Sequence, residues 1–452
     1  MPLFTSELSY SDDYPTIEPS LKLDFANARA LDPRITFERA STATYVGRDG
    51  LIKTAGEDEA RFDHDPETGE SLGLLIEESR TNRTTYSDYS TVTLQNVSTS
   101  STVSTSAPDG SSIFAFEANN NTSVVHRIVL TNGNTGNATT PHVASFFIKI
   151  PPIGSDQLSS QNVIKLVVRW RSSAGSGTGA VIFYTHSTQQ WGISQGVNAF
   201  GSTAPSKYDP TSAGAYFEQW NNGWVKFVFP GAISSNNSGE TYNSYDWNIS
   251  ETSGEQGGNC TVFLWGAQFE QGAHPTSYIP TSGSTATRAV EYGYTSNMNF
   301  YNQSEGSVFS EVKLLDVGNT VGKVIWSFNQ SGGFGEGIYM VNDNGSPNIA
   351  FNLFYGGSNL AAKITTNITT GTYYKTIYSF ETNNVNLGYY GNIGTDDTSA
   401  TLPTIERLVI GNNAWGGSVG GSNGLNPGNC HIKSFSYYPK RLTNTQLQTL
   451  TQ

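Results

Sequence analysis

A chain of 452 residues is too long for one ordinary domain, and a charged fraction of only 14% beside 12% aromatics excludes a charge-driven disordered chain. Its 38 acidic against 25 basic residues, a net charge of −13, would repel a phosphate backbone or an anionic membrane surface, and no Lys/Arg stripe with interleaved aromatics offsets this. Thr, Tyr, Phe and Val suit a pleated, half-buried surface and Lys-rich helical faces are scarce, so the expected class is all-β.

The first block, residues 1–83, opens on MPLFTSELSYSDDYP, which lacks the basic region and apolar run of a secretion signal. From residue 20 it is the most charged part of the chain. LKLDFAN and ITFERA alternate apolar and polar residues as short strands do, and STATYVGRDGLIKTAG reads as a hairpin around a turn that ends at Gly50. RFD, DPETGE and SLGLLIEES form a second strand–turn–strand unit.

That unit crowds Asp63, His64, Asp65, Glu67 and Glu70 into RFDHDPETGE, which suggests a metal cup, an acid–base pair or a bend. Asp65-Pro66 followed by Gly69 is tight-turn chemistry, and Asp there accepts backbone N–H bonds, so a turn accounts for the cluster. No HExxH, DxDxDG or Cys/His group supplies further ligands.

Residues 84–281 carry a series of strands, SSIFAFEA, SVVHRIVL, HVASFFIKI, NVIKLVVRW, AVIFYTH, GWVKFVF and CTVFLWGAQFE, separated by Gly/Ser/Asn/Thr loops. Short strands with frequent turns predict a jelly-roll sandwich. Residues 282–305 read as a low-charge linker. Residues 306–452 resume strands, from GSVFSEVKLLD to CHIKSFSYYP, and predict a second sandwich closed by a helix at Thr443–Leu450, with Thr443 as cap. No fixed-period repeat and no stretch long enough to span a membrane occurs. Cys260 and Cys430 each sit at the edge of an apolar run and are expected as buried free thiols.

LDFANARALDPRITFERASTATYVGRDGLIKTA and RFDHDPETGESLGLLIEESRTN, within residues 21–83, resemble a module found at the start of many tailed-phage structural proteins. WNNGWVKFVF and FLWGAQFEQGAHPTSYIPTSGSTATRA look like the ends of the carbohydrate-binding-like jelly roll those proteins carry. IERLVIGNN and CHIKSFSYYPKRLTNTQLQTL look like the last strands and helix of a concanavalin A-like or laminin-G-like sandwich. The resemblance implies a virion component: a fibre, spike or decoration on tail or capsid. It also implies an N-terminal docking block contacting other virion proteins, lectin-like domains facing host surface glycans, and assembly as a homo-oligomer, commonly a trimer.

A saccharide site wants an exposed aromatic plane beside Asn, Asp, Gln or backbone donors. Trp191 in HSTQQWGISQG and Trp247 in NSYDWNIS sit in polar stretches and are the expected platforms of the middle domain. Trp220 in QWNNGW is the more exposed ring beside a core Trp224, while Trp265 is expected to pack. In the last domain Trp415, with Asn412 and Asn413, lies in the glycine-rich GNNAWGGSVGG, and Tyr355 in FYGGSN is comparable; each is either a platform or a plug. Asp343 in VNDNGSPN is a candidate Ca²⁺ ligand, although NDNG is also an ideal hairpin turn. No other cofactor is indicated. Glu77 and Glu78 are adjacent, so in a strand they face opposite sides and cannot pair as acid and base. With no GxSxG elbow and no ExDxxE-type strand, enzymatic activity is not expected.

Overall fold

The structure, a computed structural model, describes residues 14–101, 103–119, 121, 124–131, 142–153, 163–172, 177–196, 215–233, 242–250, 260–316, 322–330, 336–342, 348–355, 358–363, 368–412 and 426–452. Apart from a 3-10 turn at Asn221–Gly223 and the helix Asn444–Leu450, the described elements are strands, so the chain is all-β.

The middle domain is a sandwich of two six-stranded antiparallel sheets. Its centre is the pair His142–Lys149 and Cys260–Gln271 in one sheet, facing Val163–Ser172 and Tyr242–Ser250 in the other. Inward residues such as Phe146, Ile148, Leu166, Val168, Phe227 and Trp247 fill the space between. The strand Tyr242–Ser250 corrects the expectation of a polar loop there. Tyr245, Trp247 and Ile249 recur every second residue, and that period places Trp247 on the core face.

The C-terminal sandwich has two eight-stranded sheets, and it is not built from residues 306–452 alone. Leu21–Asp24 pairs antiparallel with the last strand, Leu21 opposite Tyr437. Ser71–Ile76 continues along the same edge, with Ile76 opposite Cys430, and Arg61–His64 pairs outside it. In the opposite sheet, Thr36–Glu38 pairs with Tyr292–Thr295, which in turn pairs with Arg407–Ile410. Leu21, Leu23, Phe25, Phe37, Leu74 and Ile76 therefore belong to one core with Trp326, Phe351, Tyr378 and Phe435.

The N-terminal block thus differs from a free-standing docking module. Its short amphipathic strands have too little apolar surface to close a core by themselves, and the open edge of Cys430–Tyr438 supplies the partner. The linker differs in the same way. Ala286–Arg288 pairs with Arg80–Asn82, and Tyr292–Thr295 is an interior strand.

At the C-terminus, Thr443 Oγ accepts from the Gln446 amide at 3.3 Å and the Gln446 side chain accepts from the Thr443 amide at 3.0 Å. This reciprocal cap starts the helix where the sequence predicts it, and Leu447 packs on Ile377 and Leu442. Cys260 and Cys430 are buried thiols outside any disulfide, and burial pushes the Cys430 thiol up to about 12.

Candidate functional site

Where the three parts meet, a group of ionised side chains lies wholly out of water. Arg61 Nη2 donates to Glu77 at 2.8 Å and also to Glu291, Arg39 Nη1 donates to Glu291 at 2.8 Å, and Arg288 Nη1 lies 3.1 Å from Glu77. Glu270, equally buried, accepts from the Thr276 amide at 3.0 Å and from Gln268 at 2.8 Å. Three guanidinium groups thus balance three carboxylates, the condition under which such burial is tolerable. Burial pushes the Glu77 carboxyl up, but Arg288, Arg61 and hydrogen bonds from Ser277 override it and hold it well below the usual carboxylate range. Burial pulls both arginines down; Glu291 and Glu77 outweigh it at Arg61, which is raised, but not at Arg288. The members come from residues 39–77 and 270–291, so this joint fixes the first block and the chain leaving the jelly roll against each other.

Beside the joint opens a cleft of about 830 Å³. One wall comes from the hairpin Ala43–Val46 and Ile52–Ala55 and the turn that holds Asp65, Pro66 and Glu67. A second comes from the jelly roll, with Tyr216, Glu218, Trp220 and Lys226, and the rest from His274, Tyr278, Lys313 and His431. The hairpin seats against the jelly roll through Ile52, which packs with Phe147, Trp224 and Trp265 and donates its amide to Pro108 O at 2.9 Å. Gly50, at φ +72°, lets the turn approach: a Cβ there would lie 1.9 Å from Asn221 Nδ2.

The acidic stretch that opens onto this cleft is a turn, as its sequence predicts. Asp65 Oδ1 accepts from the Glu67 and Thr68 amides at 3.0 and 2.8 Å, and Gly69 at φ +69° closes the loop. No group of three His, Cys, Asp or Glu placed to hold a metal occurs among the described residues. Two of the stretch's side chains do more than shape the bend. Asp63 Oδ1 accepts from the Val46 amide at 2.7 Å and its Oδ2 from His431 Nε2 at 2.8 Å, and His64 Nδ1 lies 3.1 Å from Val46 O. Burial pulls the His431 imidazole below the ordinary histidine range despite the Asp63 contact, and it does the same to His274. Burial also lowers Lys313, and burial together with Glu218 raises Tyr216.

Of the aromatic platforms expected from sequence that fall among the described residues, only Trp220 lines the cleft. It is half-buried, with its ring edge-on to Phe147 at 4.7 Å. Trp191 packs half-buried between Tyr184 at 5.0 Å and Phe217 at 5.5 Å on a strand, Gln190–Gly196. Trp247 is 0% exposed against Tyr89 and Phe146 and cannot be a platform, because strand alternation turns it inward. Tyr355, at a strand end, is 43% exposed. Asn412 is buried, and its carbonyl accepts from Ser327 Oγ at 3.1 Å. Asn413, Trp415 and the Ca²⁺ candidate Asp343 lie outside the described residues. Sequence reasoning missed Tyr216, Tyr278, Lys313 and His431 as companions of Trp220. No local spacing signals them, since they converge from separate blocks.

No family model matches the chain, and no curated protein matches it. Among solved structures it is similar to the Ruminococcus gnavus IT-sialidase CBM40 bound to α2,3-sialyllactose, at 12% identity over 33% of this chain and 84% of that one, TM-score 0.28. It is similar to the mouse laminin α1 domains LG4–5 at 10% identity over 68% and 87%, TM-score 0.25. It is also similar to the Trypanosoma rangeli sialidase in complex with the inhibitor DANA at 8% identity over 96% and 97%, TM-score 0.28. At identities and scores this low, these likenesses decide neither ligand nor activity.

Proposed function

We propose that the protein is an adhesive component of a tailed-phage virion whose sandwiches hold a saccharide in the cleft between them. The observation that carries the binding half is the composition of that cleft. Trp220 and Tyr216 offer apolar ring surface, and Asp65, Glu67, Glu218, Lys226 and His274 stand beside it as donors and acceptors. Sugar rings present C–H faces and hydroxyl rims, so stacking and hydrogen bonding suffice and no bond need be broken. The resemblance of residues 21–83 to phage structural modules supports the virion half. Contact at one such site is weak, and display of many copies on a particle, with homo-oligomers as the unit, raises it through effective concentration.

The test is a glycan array probed with the full-length chain, followed by assay of retained oligosaccharides for new reducing ends. Binding without cleavage supports the proposal. Absence of binding at high avidity, with the chain incorporated into particles, favours a purely structural capsid or tail decoration. Cleavage makes the protein a depolymerase.

A further inference from the structure

Resting on the saccharide reading above, we propose that the C-terminal sandwich carries a second saccharide contact outside the cleft, an open platform at a hairpin tip where the Tyr390 ring stacks on one pyranose face. The tip joins Asn384–Tyr389 to Asn392–Ile393 with Tyr389 paired to Asn392, so Tyr390 and Gly391 are its two central residues. Both lie at positive φ, +47° and +71°, an arrangement that Asn-Gly adopts readily. A tyrosine there is strained by its Cβ, and such a residue persists where its side chain is needed for something else.

Packing is one such need, and it accounts for the other tyrosine held this way. Tyr89, at φ +60°, is 2% exposed with its ring against Phe116 and Trp247. Tyr390 is 65% exposed, more than any other large hydrophobic among the described residues, so packing does not offset its strain. Its ring neighbours are Tyr389 and Tyr374, with centroids 6.1 and 6.5 Å away, and those two are buried and stacked on each other at 5.6 Å. The tip is also held in place. The Gly391 amide donates to Thr451 Oγ1 at 3.2 Å, its carbonyl accepts from Gln448 Nε2 at 2.9 Å, and Asn392 Nδ2 donates to the Tyr390 carbonyl at 3.1 Å. A ring fixed in advance loses little freedom when a ligand arrives.

The surroundings favour a sugar over a protein partner. Because its two ring neighbours are buried, Tyr390 offers one ring, far short of the about 800 Å² per partner that a stable protein interface buries but matched to a single sugar ring. Exposed Asn392, Gln448 and Gln452 bring amides to the tip, where a Cβ on Gly391 would lie 3.4 Å from Gln452 Cγ. Exposed Thr369 lies with its Oγ1 3.1 Å from the Tyr374 hydroxyl and 3.0 Å from Thr372 Oγ1. These uncharged donors and acceptors suit a hydroxyl rim, and the Lys375 ammonium is committed to the Gln452 carbonyl at 2.5 Å. None of the three tyrosines lines the cleft, so this contact is additional to it.

The experiment probes the chain on an array of gluco-, galacto-, manno- and N-acetylhexosamine oligosaccharides and follows the retained ones with variants. Tyr390→Asn installs the Asn-Gly pair that the turn favours and removes the ring. Its urea midpoint should stay level or rise, while the apparent Kd for a retained sugar weakens about three- to tenfold, the span of one aromatic contact. Tyr390→Phe, which keeps the ring, should keep the affinity. The double change Tyr216→Ala with Trp220→Ala, which strips the cleft of its rings, should leave residual retention that adding Tyr390→Asn removes. A urea midpoint lowered by Tyr390→Asn overturns the inference by showing that the ring serves packing. An altered oligomeric state also overturns it, by assigning the ring to a contact between copies. Affinity unchanged by Tyr390→Asn overturns it and leaves the cleft reading intact. Retention lost with Tyr390→Asn but untouched by the cleft variant upholds it and refutes the cleft. Retention of no saccharide by the unaltered chain overturns both.

Discussion

Glu291→Ala removes one carboxylate that holds the joint together. Its Oε2 accepts from Arg39 Nη1 at 2.8 Å, and its Oε1 accepts from Arg61 and from the Glu77 amide at 3.1 Å, all out of water. After the change Arg39 keeps the carbonyls of Ser41 and Gly56, and Arg61 keeps Glu77 and the Thr44 carbonyl. Their hydrogen bonds are partly met, but three buried guanidinium groups then face two carboxylates. Removing one partner of a buried pair costs about 3–5 kcal/mol, set against the 5–15 kcal/mol that holds an ordinary domain folded. Glu291→Gln keeps the shape and one acceptor and should cost less. Urea unfolding followed by tryptophan fluorescence reads the difference, using the first transition because a multi-part chain need not unfold in one step. A midpoint for Glu291→Ala corresponding to less than about 0.5 kcal/mol, the range of ordinary surface changes, would refute the assignment of this joint as what binds the blocks together.

Three further outcomes follow from the same packing. A fragment comprising residues 84–452 lacks the strands that cover the edge of Cys430–Tyr438 and two of the three arginines of the joint, so it should aggregate on expression; a monodisperse, cooperatively unfolding fragment would show the N-terminal block to be dispensable. Lowering the pH should destabilise the chain in two stages: the His431 imidazole is lowered on folding, so its contribution is full above its unfolded value of 6.5 and declines below it, while the depressed Glu77 adds a second loss below 4.5. A urea midpoint that stays flat from pH 7 to 4 would contradict this. Both thiols should resist a water-soluble disulfide reagent until the chain unfolds, and reductant should leave the melting temperature unchanged; rapid native-state labelling would contradict their burial.

The sequence made legible whatever local periodicity controls. The apolar runs HVASFFIKI and CTVFLWGAQFE, the turn chemistry of DPETG and the capping box at Thr443 each act over a few residues, and each is found in place. What it concealed was partnership across distance. Nothing in LKLDFAN says that its strand completes a sheet with residues 434–437, because edge pairing is made by backbone groups that every residue carries. Trp247 was hidden differently: the polar neighbours in NSYDWNIS mask an alternation that is there to be read. The cleft was least legible, since His431 and Trp220 become neighbours of one space only after both sandwiches have closed.

A crystal structure of the chain soaked with an oligosaccharide chosen from the array addresses the central claim most directly. The account predicts an intact sugar lying in the cleft against Trp220 and Tyr216. A sugar bound on another surface with the cleft empty, or a cleaved product held within it, would contradict it.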